Sequence, residues 1–179
     1  MASQSPDESQ TDPRPTIVNT FLTLLAVAIV IAAYIVLGDK LGFHELYAGY
    51  FFAFYWIGLR GGNIAELPSI VVGAFVGLAL SFALRQLIAS LGLPSGPLIF
   101  LCMLVTSVFF FLRQQLKILF NDATMLFLTL GTMVHVQAHA DFRNLFESLA
   151  MGVVFFCGVF LLAQQLLLRR RHQIDVSAP

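Results

Sequence analysis

The sequence predicts an all-α membrane protein, and three observations lead there. Of its 179 residues, 58% are hydrophobic and only 11% are charged, where an ordinary soluble chain is about a quarter charged. The mean hydropathy is +0.84. The apolar residues are also gathered into six continuous runs. A membrane barrel would show alternating segments of about ten residues, so continuous runs specify helices. The expected fold is a polytopic bundle of six transmembrane helices, a single domain over 16–168 between a cytoplasmic tail at 1–15 and a basic cytoplasmic tail at 169–179.

Each element follows from its residues. Positions 1–15 read MASQSPDESQTDPRP, with almost nothing to bury, and are expected to be disordered. The next run, Ile17–Leu37, has 21 residues, enough for a helix that needs about 20 to cross a bilayer. Its acidic approach differs from the basic start of a secretory signal, so this helix is expected to be retained. Leu46–Leu59 is short. Ser69–Leu91 is long and holds one charge, Arg85, expected to snorkel toward the headgroups. Leu98–Leu112 closes on Arg113, Ala123–Ala138 is short and rich in Thr and His, and Leu145–Leu168 runs into Arg169-Arg170-Arg171. The breaks, such as Gly38-Asp39-Lys40 and Arg60-Gly61-Gly62-Asn63, are turn-forming or charged.

Charge sets the orientation and excludes some functions. Ten Lys and Arg balance ten Asp and Glu, so no basic excess points to nucleic acid. Six spans place both termini on one side. With the termini cytoplasmic, that side receives Arg14, Arg60, Arg113, Lys117 and Arg169 to Arg171, leaving Lys40, Arg85 and Arg143 opposite. The cytoplasmic excess of positive charge favours this arrangement. Cys102 and Cys157 both sit in apolar runs, which offers neither a disulfide framework nor a zinc spacing. Nothing in the motifs asks for a cofactor.

Small residues mark a packing face. Ser69, Gly73, Gly77 and Ser81 recur every fourth position in the third span, and Ser148 and Gly152 do so in the last. Such a face lets a second helix approach closely, either within the chain or across a subunit interface. All four tyrosines and the lone tryptophan fall between positions 34 and 56. Tyr47 and Trp56 are expected to mark the two membrane boundaries of the second span.

The chain also divides in two. Spans one to three and four to six share a rhythm in which the middle member is short. Glu66–Leu87 laid over Leu145–Leu166 matches Ser69 with Ser148, Gly73 with Gly152, Gln86 with Gln165 and Leu87 with Leu166. A three-span repeat must insert upside down relative to its twin, the plan of many channels and transporters. The middle spans cover about 21 and 24 Å at 1.5 Å per residue, against a core near 30 Å. Backbone that stops short inside a membrane must find protein or water. Tilt or local thinning of the bilayer gives the same pattern by another route.

The polar residues of the short spans supply the candidate solute pathway: Thr132, His135 and His139 in one half, Arg60 and Asn63 in the other. Asn121, Thr124, Thr132, His135 and His139 share one helical face, and aligned polar residues in a membrane helix normally face the bundle interior or water. Thr hydroxyls bonding their own helix and histidines at the headgroups are the plainer alternative. His135 and His139, with Asp141, are also weak candidates for a metal. Arg60 and Glu66 flank a Gly61-Gly62 turn and are expected to pair or face solvent. No nucleophile–base pair, nucleotide-binding glycine loop or carboxylate pair is visible, so an enzyme is not expected, metal-dependent membrane chemistry being the one route left open.

The stretch Tyr55-Trp56-Ile57-Gly58-Leu59-Arg60-Gly61-Gly62, with Leu67-Pro68-Ser69, Gly73, Gly77 and Phe127-Leu128-Thr129-Leu130-Gly131-Thr132, resembles a bacterial family of small multi-pass inner-membrane proteins of unknown function. The six-span plan is similar to the membrane half of the fusaric-acid-resistance and aromatic-acid exporter family, which also carries a large cytoplasmic region. The resemblance implies a bacterial inner membrane and a helical bundle. The functional expectation is a homo-oligomeric channel or transporter for a small solute. The alternative is an accessory protein that binds another membrane protein or a lipid.

Overall fold

The computed structural model describes residues 17–176, so the 1–15 tail lies outside the described residues, as do the side chains of Arg170 and Arg171. Among the described residues the chain is all helix: α1 (Ile17–Lys40), α2 (Tyr47–Ala53) continued by a π-helical segment (Phe54–Leu59), α3 (Leu67–Leu91), α4 (Ser95–Leu112), α5 (Asp122–Thr132), α6 (Val134–His139) and α7 (Phe142–Val176). Four stretches are long and apolar enough to cross a membrane: Thr20–Lys40, Leu67–Leu91, Ser95–Leu112 and Phe142–Leu166. The two short runs do not reach that length. The first is a 13-residue α-then-π helix and the second breaks into α5 and α6.

Local chemistry sets the element ends. Pro68 stands in the first turn of α3, where its missing N–H costs nothing. The helix stops at Gly92, whose φ of 68° is left-handed, the conformation glycine adopts most readily. Asn121 caps α5: its side chain accepts from the Thr124 N–H while the Thr124 hydroxyl accepts from the Asn121 N–H. The break after α5 is at Met133, extended at φ −56° and ψ 137°. The last helix does not end at Leu168 but continues through the basic segment to Val176, 35 residues in all.

Residues up to Ala33 form one compact unit and those from Tyr34 onward another. In the first, the helix presents apolar side chains such as Phe21, Leu24 and Ile29 outward, as lipid-facing sequence does.

In the second unit α3 packs along α5, and α2 along α7. The directions of these seams can be read from their contacts. Asn121 donates to Ser69 O, Gly77 faces Thr124, and Ser81 reaches Leu128 O, so α3 and α5 run parallel. His44 and Glu45 donate to Asn144 Oδ1, Gly49 faces Gly152, and Trp56 packs on Phe160, so α2 and α7 run parallel. Phe75 stacks on Phe146 and Phe82 packs at a tilt against Phe142, which makes α3 antiparallel to α7.

The small-residue faces are consumed inside the chain. A Cβ on Gly152 would strike the backbone of Gly49, and one on Gly77 would strike the Thr124 carbonyl. Gly73 is filled by the Asn121 side chain, and Ser81 occupies the space beside Gly131. Tyr34 places its hydroxyl where a Gly49 side chain would stand, 3.1 Å from Leu46 O and 3.3 Å from Ser148 Oγ. An oligomer of this chain must therefore use other faces.

Trp56 departs from its expected boundary position. It is fully buried between Phe52 and Phe160, and its indole donates to Asn63 O at 3.0 Å. Tyr47 is half-buried. The tryptophan is a core residue because α7 covers it.

Backbone facing backbone cannot yield as a side chain can. Gly77→Val and Gly152→Val are each expected to destabilise the protein by about 1–3 kcal/mol through overpacking, seen as lower helical melting midpoints in detergent. Gly158→Ala, where a methyl meets open space, should leave the midpoint unchanged or raise it.

Candidate functional site

Where a helix breaks, its carbonyls lose their partners and must find others. The break at Met133 is repaired by a side chain. Gln137, one turn into α6, turns its amide back, and Nε2 donates to Gly131 O at 2.6 Å and to Ser81 O on α3 at 3.0 Å. Ser81 Oγ lies 2.9 Å from Gly77 O and 3.1 Å from Leu128 O. Thr132 Oγ1 bonds Leu128 O at 2.9 Å. The result is an uncharged polar cluster of the Ser81, Thr132 and Gln137 side chains and the carbonyls of Gly77, Ser81, Leu128 and Gly131, where α3 meets the broken helix.

One member of this cluster has an unused bonding group. Gln137 Oε1 is buried with no hydrogen-bond partner among the described residues. A buried acceptor left unpaired costs about 1–3 kcal/mol, and in native proteins such an atom calls for a specific reason. An incoming N–H or O–H is the kind of partner this oxygen can take.

The candidate pathway residues fall into two groups that the structure does not bring together. Arg60 and Asn63 lie beyond the π-helical segment, at the start of α5. Arg60 pairs with Asp122, its Nε donates to Tyr55 Oη at 3.0 Å, and Glu66 Oε2 lies 3.8 Å away. The Tyr55 hydroxyl foremost, with Asp122 and Glu66 beside it, pushes the guanidinium's ionisation up, so Arg60 is charged at any physiological pH. Asn63 donates to Glu66 Oε1 and accepts from the Ala65 N–H. Thr132 is the last residue of α5, at its opposite end, and His135 and His139 lie beyond it in α6. Thr132 is half-buried and belongs to the polar cluster, while both histidines are exposed. Their rings stand 4.9 Å apart, with His139 Nδ1 3.3 Å from His135 O.

Among the described residues no three His, Cys, Asp or Glu side chains gather as metal ligands. Asp141 is not joined to the histidine pair. It accepts from the Arg143 N–H instead. Arg85, expected to reach for the headgroups, donates to Ala140 O at 2.7 Å and lies over the Phe142 ring.

The buried faces of the two short helices are apolar. Phe52 and Trp56 from one and Phe127 and Leu130 from the other are at most 6% exposed. These side chains belong to one buried apolar cluster, and a polar cluster lies where α5 breaks against α3. Sequence reading missed Gln137, which stands between two histidines and is not on their face. The signal available was a glutamine inside an apolar run, one helical turn after Met133.

Comparison with protein-family models, curated proteins and solved structures finds no match in any of the three.

Gln137→Met removes the donor from two carbonyls and should destabilise the protein by about 1–3 kcal/mol, measured by thermal unfolding in detergent. The Arg60–Asp122 pair should count for much less. Its side chains are 37% and 51% exposed, so a double-mutant cycle with Arg60→Gln and Asp122→Asn is expected to give a coupling below about 1 kcal/mol.

Proposed function

We propose that this chain is a small-solute transport protein of the inverted three-plus-three type, in a conformation whose interior is closed, and that the polar cluster at the α5–α6 break is where solute is handled. The observation that carries this reading is the buried, unpartnered Oε1 of Gln137. Polar groups inside membrane helices are costly and mark solute paths, and broken helices near the repeat interface are where such proteins place their sites.

The repeat is supported by matching contacts. Helices α2 and α5 begin at Tyr47 and Asp122, and α3 and α7 at Leu67 and Phe142, both pairs 75 residues apart. In that register Gly49 facing Gly152 corresponds to Thr124 facing Gly77. Ala48 pairs with Ala123 and Phe52 with Phe127, all fully buried. The Asn144 link to the chain before α2 answers the Asn121 link to Ser69. The antiparallel run of α3 and α7 is what an inverted repeat asks of that corresponding pair. The register of 79 read from the sequence is four residues off, about one helical turn. A slip of one turn keeps small residues on the same face, which is why the sequence alone favoured it.

The chemistry of the site limits the solute. Its groups are neutral and rich in acceptors, which suits a small uncharged hydrogen-bond donor such as an amide or a polyol. The exposed histidines flank the break and fit an entrance in this reading, while Arg60 and Asn63 close the opposite end. Homo-oligomerisation through faces other than the small-residue seams is part of the same proposal.

A second reading has one observation in its favour. The buried apolar cluster that includes Phe52, Trp56, Phe127 and Leu130 suits an accessory protein that holds another membrane protein and conducts nothing.

Stopped-flow light scattering on proteoliposomes under urea and glycerol gradients separates the two. The transport reading expects protein-dependent shrinkage with at least one solute, lowered about tenfold by Gln137→Leu through the lost hydrogen bonds, and His135→Ala with His139→Ala slowing entry without changing solute preference. Rates equal to protein-free vesicles for both solutes, with a stoichiometric membrane partner retained in mild detergent, would establish the accessory role.

A further inference from the structure

Where the end of α3 meets the start of α7 there is a cavity of about 430 Å³. Phe82, Phe142 and Phe146 make its apolar wall, and Arg85, Asp141 and Arg143 its polar rim. Small-molecule sites run from about 300 to 1,000 Å³, so the space suits a headgroup with its first methylenes.

The charges on this rim are unequally committed. Arg143 is paired with Glu147 at 2.9 Å. Arg85 is half-buried, six residues from the end of α3. It spends one N–H on Ala140 O, and its guanidinium stands 5.7 Å from the centre of the Phe142 ring. Among the described residues no carboxylate lies within ion-pair distance of it. A guanidinium carries five donors arranged to grip a phosphate or carboxylate at two points, and Arg85 lines the cavity with one of them given to Ala140 O. Asp141 is exposed on the same rim, its Oδ1 accepting from the Arg143 N–H, and it makes no ion pair among the described residues. A cation and an anion that make no ion pair among the described residues therefore stand at one rim above an aromatic wall.

We propose that this cavity binds the headgroup of a phospholipid bearing a primary amine, with the phosphate on Arg85, the ammonium on Asp141 and the first acyl methylenes against Phe82 and Phe146. A purely anionic head would meet the Asp141 carboxylate as a like charge. A choline head offers the carboxylate no N–H donor, whereas an ethanolamine ammonium offers three. A soluble ion would leave the aromatic wall unused. The α3 and α7 segments on either side are long and apolar enough to cross a bilayer, which puts the cavity where lipid is the abundant ligand. The inference does not depend on whether the chain transports a solute.

The test is lipid retention by the full-length protein in mild detergent, read by native mass spectrometry against mixed micelles of phosphatidylethanolamine, phosphatidylcholine or phosphatidylglycerol. The wild-type protein should hold the ethanolamine lipid about tenfold better than the choline lipid, the scale of one charge-assisted hydrogen bond. Arg85→Gln should lower retention of all three lipids. Asp141→Asn, which keeps the side-chain oxygen that accepts from the Arg143 N–H, should bring the ethanolamine lipid down to the choline lipid and raise retention of the glycerol lipid. Equal retention of ethanolamine and choline lipids, or indifference to Asp141→Asn, overturns the assignment. So does free phosphorylethanolamine displacing the lipid at equal concentration, which would show a soluble ligand and an idle aromatic wall.

Discussion

The contact of backbone with backbone at two helix seams is the constraint on which the rest depends. Lipid tails are as apolar as leucine, so burying apolar surface gives membrane helices little reason to associate. Close approach and buried hydrogen bonds must hold them together. Gly49 against Gly152 and Gly77 against Thr124 supply the approach. Tyr34 to Ser148, Asn144 to the chain before α2, Asn121 to Ser69 and Ser81 to Leu128 supply the bonds. Both short helices are held along a long one by these seams, and their free ends are left to carry polar chemistry.

That division explains where polarity and greasiness lie. Phe52, Trp56, Phe127 and Leu130 of the short helices belong to one buried apolar cluster. Polar groups collect where a helix runs out: Arg60, Asp122 and Glu66 at one end, and Ser81, Thr132 and Gln137 at the break of the other. The two collections differ in kind. The first is charged and exposed, satisfied by its own partners. The second is neutral and enclosed, with one acceptor left over, and only the second has room in its bonding for a visitor.

Much of the fold was legible because membrane helices declare themselves by length. Ile17–Leu37, Ser69–Leu91, Leu98–Leu112 and Leu145–Leu168 needed only an apolar run, and each lies largely within a helix long enough to cross. The short runs were legible as short, but their internal form was not. Met133-Val134 carries no glycine or proline to announce a break, and Phe54–Leu59 has no signature of a wider helical turn. Tyr47 and Trp56 were read from their preference for interfaces, a statistical tendency that α7 overrides by covering the indole. At the candidate site, the periodicity placed Thr132 but favoured the two histidines over Gln137. A glutamine's task of bonding two carbonyls on different helices depends on tertiary placement, which no local pattern encodes. Arg60 was read with Glu66, six positions along the chain, while its closer partner Asp122 is 62 positions away.

The indole at position 56 has a use beyond packing. It is the chain's single tryptophan, it is shut off from the surroundings, and it leans on a ring of α7. All tryptophan emission thus arises from one point on one seam, and its colour tracks how wet that point is. The molecule carries its own optical gauge for separation of the two segments, so any rearrangement that parts them can be followed in real time without attaching a dye.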